Sequence, residues 1–178
     1  MTVENLKSTS ITNLDANPVV ASTAGEGAVA VQYVQTEYVT ISALASVTST
    51  YRIMRVPTTV KLKELILESD ALGGGRINIS AYYSDSTTDG TAVANQGLIV
   101  PTTGDQFFAS DIDLTSAQNN VQVLNESGNN TIDHRNLPLW QALALTANPG
   151  GFIDLVMVVH TTAVTNAGKV GLRLSYTM

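Results

Sequence analysis

Several groups of side chains in this sequence have types and spacings that chemistry could use. Asp111-Ile112-Asp113, with Asp85 and Asp89 from the stretch Asp85 to Gly90 (DSTTDG), could offer oxygens to calcium, since hard cations collect carboxylates and carbonyls from mobile loops. At strand spacing, however, both Asp111 and Asp113 fall on the outer face with Ile112 pointing inwards, which is ordinary strand patterning. Asp133-His134, with Ser127 nearby, has the residue types of a Ser-His-Asp set. Adjacent residues on an extended segment point to opposite sides, so the carboxylate cannot easily orient the ring, and no nucleophile-elbow motif accompanies them. His160 ends the most apolar run of the chain; the other histidine, His134, stands at no metal-binding spacing from it, so His160 reads as a polar cap on a buried strand. Gly73-Gly74-Gly75-Arg76 lacks the Lys-Ser/Thr and the following helix of a phosphate-cradling loop and reads as a turn. Sequons at Asn78, Asn125 and Asn129 would matter only in a eukaryotic secretory pathway. Paired carboxylates for sugar hydrolysis are a tertiary property that nothing here favours. The expectation is a protein that is not an enzyme, with no catalytic, cofactor-binding or metal-binding residue.

What must position these residues is one domain plus an arm. The chain has 178 residues, 44% of them hydrophobic and only 13% charged, about half the typical share of roughly 25%. Its surface must therefore be covered largely by Thr, Ser, Asn and Gln, which cost less to desolvate than ions and suit extensive protein contact. A formal net charge of −6 argues against a nucleic-acid partner, which would need clustered Lys and Arg. The pairs Lys61 with Lys63 and Arg52 with Arg55 are spaced as a strand spaces side chains, or nearly so, and read as solvated positions. There is no cysteine, so stability must come from packing and assembly. The first 18 residues lack the basic start and apolar region of a secretory signal, and no apolar run approaches the roughly 20 residues of a membrane span. Synthesis in a cytoplasm, with no membrane partner, is the expectation.

Residues 1–27 alternate isolated apolar residues with Ser, Thr, Asn and Gly and end in Ser22-Thr23-Ala24-Gly25-Glu26-Gly27. They read as an extended arm that orders on a neighbouring subunit, with Val3, Leu6, Ile11 and Leu14 as anchors, or else as an edge strand and turn of the same domain. From Ala28 the period is two. Ala28 to Val34, Glu37 to Ala43, Tyr51 to Val56, Arg76 to Tyr83 and Lys169 to Met178 are predicted strands, with shorter candidates at 98–100, 106–108, 111–114 and 121–124. The phase of the apolar residues changes near Glu64, which predicts a β-bulge or a strand turning a corner. In Arg76 to Tyr83, Ile77, Ile79, Ala81 and Tyr83 share one face and Asn78, Ser80 and Tyr82 the other, the first predicted to be core and the second wet or in contact with a partner. Phe152 to His160 is almost continuously apolar and should be a central strand buried on both faces. One short helix is predicted around Leu137 to Leu145, capped by Asn136, with Leu137 and Trp140 forming either an oligomer contact or a plug at one end of the core. The fold class is thus all-β, a jelly-roll-like or Greek-key β-sandwich over residues 28–178, with one short helix and an extended amino-terminal arm.

Tyr51 to Pro57, Val60 to Lys63 and Leu67 to Ser69 resemble a recurrent set in small tailed-bacteriophage virion proteins, as do Gln106 to Leu114, Asp133 to Trp140 and Asn148 to Gly151. These stretches are similar to capsid decoration, or cement, proteins in general pattern, over about residues 28–178, and the arm is outside the likeness. The resemblance implies a homotrimer on the outer surface of the virion, made in a bacterial host cytoplasm, whose partner is the major capsid protein. It would bridge neighbouring capsid subunits after the shell expands. Binding only the mature shell would stabilise it, and contacts repeated by symmetry would add avidity. An arm of 27 residues could span up to roughly 90 Å at about 3.3 Å per residue. A tail or baseplate component would share the same surface, and a carbohydrate-binding jelly roll would be expected to show a planar row of exposed aromatics, against an aromatic share of only 6%.

Overall fold

In the computed structural model, which describes residues 31–84, 97–99 and 104–178, the alternating segments form eight strands. These are β1 (Gln32–Ile41), β2 (Thr50–Pro57), β3 (Lys61–Ser69), β4 (Arg76–Tyr83), β5 (Ala109–Asp113), β6 (Gln118–Gln122), β7 (Phe152–His160) and β8 (Gly168–Thr177). Two four-stranded sheets result, ordered β1-β8-β3-β6 and β2-β7-β4-β5. Neighbours β1 and β8, β2 and β7, β3 and β6, β4 and β5 carry ordinals that always sum to nine. The chain is therefore one long hairpin with β4 and β5 at its tip, rolled so that successive pairs fall alternately in the two sheets. That arrangement is the double-sheet jelly roll expected from the sequence.

Residues from Tyr33 onward form one compact unit. The residues expected as a separate arm, including Val3, Leu6, Ile11 and Leu14, lie outside the described residues. Where two strands were expected between Ala28 and Ala43, one strand, β1, runs through the polar Gln35 and Thr36. It is antiparallel to β8: the Tyr33 ring stacks on Tyr176 at 5.5 Å, whereas five residues later Tyr38 lies under the ammonium of Lys169. The bulge expected near Glu64 is present, as a register shift between Leu62 and Glu64 against β8.

The core between the sheets is built by the inward rows of β3, β4, β7 and β8: Leu65 and Leu67, Ile77 and Ile79, Leu155 and Met157, Leu172 and Leu174, all essentially sealed from water. The predicted helix is reduced to one turn, α1 (Leu139–Ala142), entered through Pro138 rather than capped by Asn136. Asn136 belongs instead to a 3₁₀ turn, Ile132–Asn136. The backbone N–H groups of Leu139 and Trp140 donate to the carbonyls of Val60 and Thr58, so the β2–β3 connection ties α1 across the end of the sandwich. Leu139 and Leu143 enter the core from this segment, while Leu137 is exposed and Trp140 half-buried.

The outer face of β4 departs from expectation. Asn78, Ser80 and Tyr82 are buried, not wet. Tyr82 packs with Leu98, Val156 and Val158 in a second apolar cluster outside the sheet, and it pairs with Leu98 in an isolated antiparallel bridge. Residues 97–99 thus lie alongside β4 in the plane of the sheet, with Tyr83 N–H donating to the Gly97 carbonyl and Ile99 N–H to the Ala81 carbonyl. Asn78 is satisfied by Asp105, to which its amide donates at 2.8 Å, and by the Asp111 N–H, which it accepts at 2.7 Å.

Candidate interaction surface

Arg52 and Arg55 stand three residues apart, a spacing that puts side chains on opposite faces of a regular strand. The register of β2 against β7 shifts between Arg52 and Met54, and this bulge at Ile53 corrects the phase by one, so both arginines reach the outer face. There they converge on Asp154, which is 2% exposed. Arg55 binds the carboxylate through two nitrogens, Nε to Oδ1 at 2.7 Å and Nη2 to Oδ2 at 3.0 Å, and Arg52 Nη1 meets Oδ2 at 2.8 Å. The same guanidinium groups donate to the Tyr83 and Ser84 carbonyls at 3.1 Å, fixing the path by which the chain leaves β4. Arg52 also lies over the Tyr82 ring at 5.7 Å. The hydrogen bond and charge of Asp154 raise the Arg55 guanidinium above its ordinary value. Burial, helped by Asp105 and opposed by Arg52, pushes the Tyr82 phenol up to about 12.

The residues considered for chemistry are occupied by the fold. Asp111 takes Arg76 Nη1 on Oδ2 at 2.7 Å and the Thr161 hydroxyl on Oδ1 at 2.7 Å, and Asp113 lies 3.5 Å from the same guanidinium. The Thr161 hydrogen bond first, and Arg76 after it, hold Asp111 below the usual carboxylate range; Thr115 and then Arg76 do so for Asp113. Asp85 and Asp89 lie outside the described residues. His134 faces Asn130, Nδ1 to Oδ1 at 3.0 Å, and stacks against Phe107 rather than meeting Asp133. The Ser127 hydroxyl donates to the Phe107 carbonyl at 2.7 Å. Lys63 donates to the Arg135 carbonyl at 3.0 Å and the Asn136 side chain at 3.2 Å.

Surface contact is a different matter. The β1–β2 connection consists of two successive tight turns, closed by Ala45 N–H to Ser42 O and Ser49 N–H to Ser46 O. In each, the third residue has a positive φ, yet neither is glycine: Leu44 is at 62° and Thr48 at 74°. The loop is held from outside. Thr48 N–H donates to Val159 O, Val159 N–H to Ser49 O, and Val164 N–H to Ala45 O. Its base is the sealed Ile41, and at its tip Leu44 is 78% exposed, with Val47 beside it also exposed. A left-handed conformation costs a leucine about 1–2 kcal/mol, and among the described residues no burial of its side chain offsets it.

The second surface feature lies on the outer face of the β1-β8-β3-β6 sheet, a groove of ≈ 370 Å³. Gly171 opens it, because the neighbouring outward residues of β8 are the long Lys169 and Arg173. A Cβ at 171 would stand 3.1 Å from the Glu37 carbonyl and 3.3 Å from Tyr38 Cβ, so β1 approaches as closely as it does only over glycine. Tyr38 forms one wall, 63% exposed, with the Lys169 ammonium 5.0 Å from its ring centre.

No family model matches the sequence, and no curated protein matches it. Among solved structures, a chain from the cyanophage Pam1 capsid asymmetric unit aligns over 92% of this chain and 96% of its own, with a TM-score of 0.44 and 13% identity.

The Arg52–Asp154–Arg55 cluster was missed in the sequence, though a signal existed. An aspartate at the third position of FIDLVMVVH, a strand read as buried on both faces, demands a cation partner, because a lone buried carboxylate is too costly to keep.

Proposed function

We propose that this protein is a structural component of a phage virion with no catalytic role, and that it binds the outside of the capsid and bridges major capsid subunits. The observation that carries the reading is the β1–β2 loop, which holds Leu44 in a strained conformation, bare to water and braced by backbone hydrogen bonds. Glycine or asparagine would relieve the strain, so the leucine is favoured by something outside the fold. A braced apolar knob loses little freedom on docking, which lowers the ordering cost of an interface. The sparsely charged surface supports the same reading, since 13% charge over the whole chain leaves amides and hydroxyls to line the contact. So do the sequence stretches that resemble decoration proteins, and with them a trimer whose arms, through Val3, Leu6, Ile11 and Leu14, lie across neighbouring subunits.

The test is the solution mass by light scattering, followed by pelleting with expanded empty shells of the parent phage. A trimer that sediments saturably with expanded shells, and does so less well when Leu44 is replaced by Asn, is the expected result. A monomer that stays in the supernatant overturns the proposal.

A further inference from the structure

The groove over Gly171 has a chemistry that the shell-binding reading does not use. The outward groups on its β8 side are cationic, Lys169 and Arg173, and on its β3 side the outward group is an acid, Glu68, opposite Gly171 in the ladder. Opposite charges this near each other on a surface commonly pair. Here no ion pair joins them among the described residues, and the Glu68 carboxylate has no hydrogen-bond partner there. The missing side chain at Gly171 leaves the floor between them empty. Arg173 spends one nitrogen on Asn120 at 2.9 Å, and the Lys169 ammonium rests over Tyr38. The groove therefore presents donors from β8 along its middle, the Glu68 acceptor on the β3 side and the exposed Tyr38 ring on the β1 side.

We propose that this groove is a binding site for a neutral saccharide. Its walls carry both signs, so it selects neither an anion nor a cation, whereas a pyranose offers hydroxyls that donate to Glu68 and accept from Lys169 and Arg173. The C–H face of the same ring suits the Tyr38 side chain, an apolar body with a polar tip. The volume of ≈ 370 Å³ lies at the lower end of small-molecule sites, which run from about 300 to 1,000 Å³. On an assembled particle this face would give the protein a second partner, a glycan at the host surface, independent of the loop that carries Leu44.

The experiment is a titration of the ¹⁵N-labelled full chain with maltohexaose, cellohexaose and chitohexaose, each up to about 10 mM, which reaches affinities in the millimolar range. The expected result is saturable shifts at the amides of Tyr38, Glu68, Lys169 and Gly171 with at least one sugar. Tyr38→Ala and Glu68→Gln should each weaken binding about tenfold, while Tyr38→Phe keeps it. Both losses must occur with the rest of the spectrum unchanged, so that unfolding is not mistaken for lost affinity. No shift with any sugar, or shifts indifferent to Tyr38→Ala and Glu68→Gln, overturns the proposal. If Tyr38→Ala abolishes pelleting with shells while no sugar binds, the groove belongs to the capsid contact and the saccharide site is refuted without harm to the structural role.

Discussion

Replacing Asp154 with Ala tests whether the buried carboxylate organises the outer face of the second sheet. Removing one partner of a buried ion pair costs about 3–5 kcal/mol, because the other charge is left stranded. Arg55 is 53% exposed and can return its charge to water, whereas Arg52, at 23%, stays largely covered and keeps its place over Tyr82. The cost should therefore sit near the lower bound, about 3 kcal/mol, and for a chain of this size each kcal/mol moves the unfolding midpoint by about 2–4 °C. A fall of about 9 °C is expected in a thermal melt followed by circular dichroism, with a matching shift in urea. Asp154→Asn, which retains one acceptor oxygen, should lose about half as much. The combined change Arg52→Met, Arg55→Met and Asp154→Leu should recover most of the loss, since an apolar replacement of the whole cluster strands no charge. An Asp154→Ala protein within about 1 kcal/mol of the parent would refute this account, because it would mean the arginines are solvated and the carboxylate does not hold them.

Leu44→Asn should raise stability by about 1 kcal/mol, through relief of the left-handed leucine, and weaken shell binding by about tenfold or more, through loss of the exposed apolar group; melts and pelleting read the two opposite signs. Gly75→Ala should destabilise by about 3 kcal/mol, because φ is +93° and the new Cβ would stand 2.8 Å from Val164 Cγ2. Gly104→Ala, at φ +64° with nothing within 4 Å, carries only the conformational part, so urea unfolding of the two variants separates strain from overlap. Tyr82 should ionise near pH 12 in an absorbance titration, the raised component being removed by Tyr82→Phe. Its raised value in the fold means that this part of the stability is whole below the ordinary tyrosine value near 10 and declines as the pH climbs towards 12; Tyr82→Phe should flatten that decline.

The strands that sequence periodicity located best were β4, β7 and β8, whose patterns are set by the sheets they occupy: alternation for β4 and β8, a continuous apolar run for β7. The bulge near Glu64 was legible because a bulge shifts the phase of a local pattern. What escaped was non-local. Asn78, Ser80 and Tyr82 looked like a wet face because nothing nearby in sequence announces that Leu98 pairs beside Tyr82 or that Asp105 and Asp111 engage Asn78. The helix was overestimated because Leu137 to Leu145 carries helical spacing, while hydrogen bonds from α1 to Thr58 and Val60 and the exposure of Leu137 decide its actual length. The Leu44 loop showed no sign at all, since a leucine in a polar stretch resembles an ordinary strand end until its backbone angle is known. The groove at Gly171 was invisible for the same reason: a glycine inside an alternating strand becomes an opening only when its neighbours across the sheet are in place.

The rolled hairpin also dictates the order in which this chain can assemble. β4 and β5 are the pair nearest the turn of the roll, while β1 must wait for β8, the strand most distant from it in sequence. Contacts so distant in sequence are slow to form, with folding expected on the millisecond-to-second scale for this class of topology. Until β8 arrives, β1 and β3 have no neighbour between them, and the Tyr33, Val34 and Tyr38 side chains sit on a strand free to pair with another copy. Nascent chains stalled before residue 168 should therefore be the species that associate in the cell, and completion of the final strand is the step that commits the chain to folding alone.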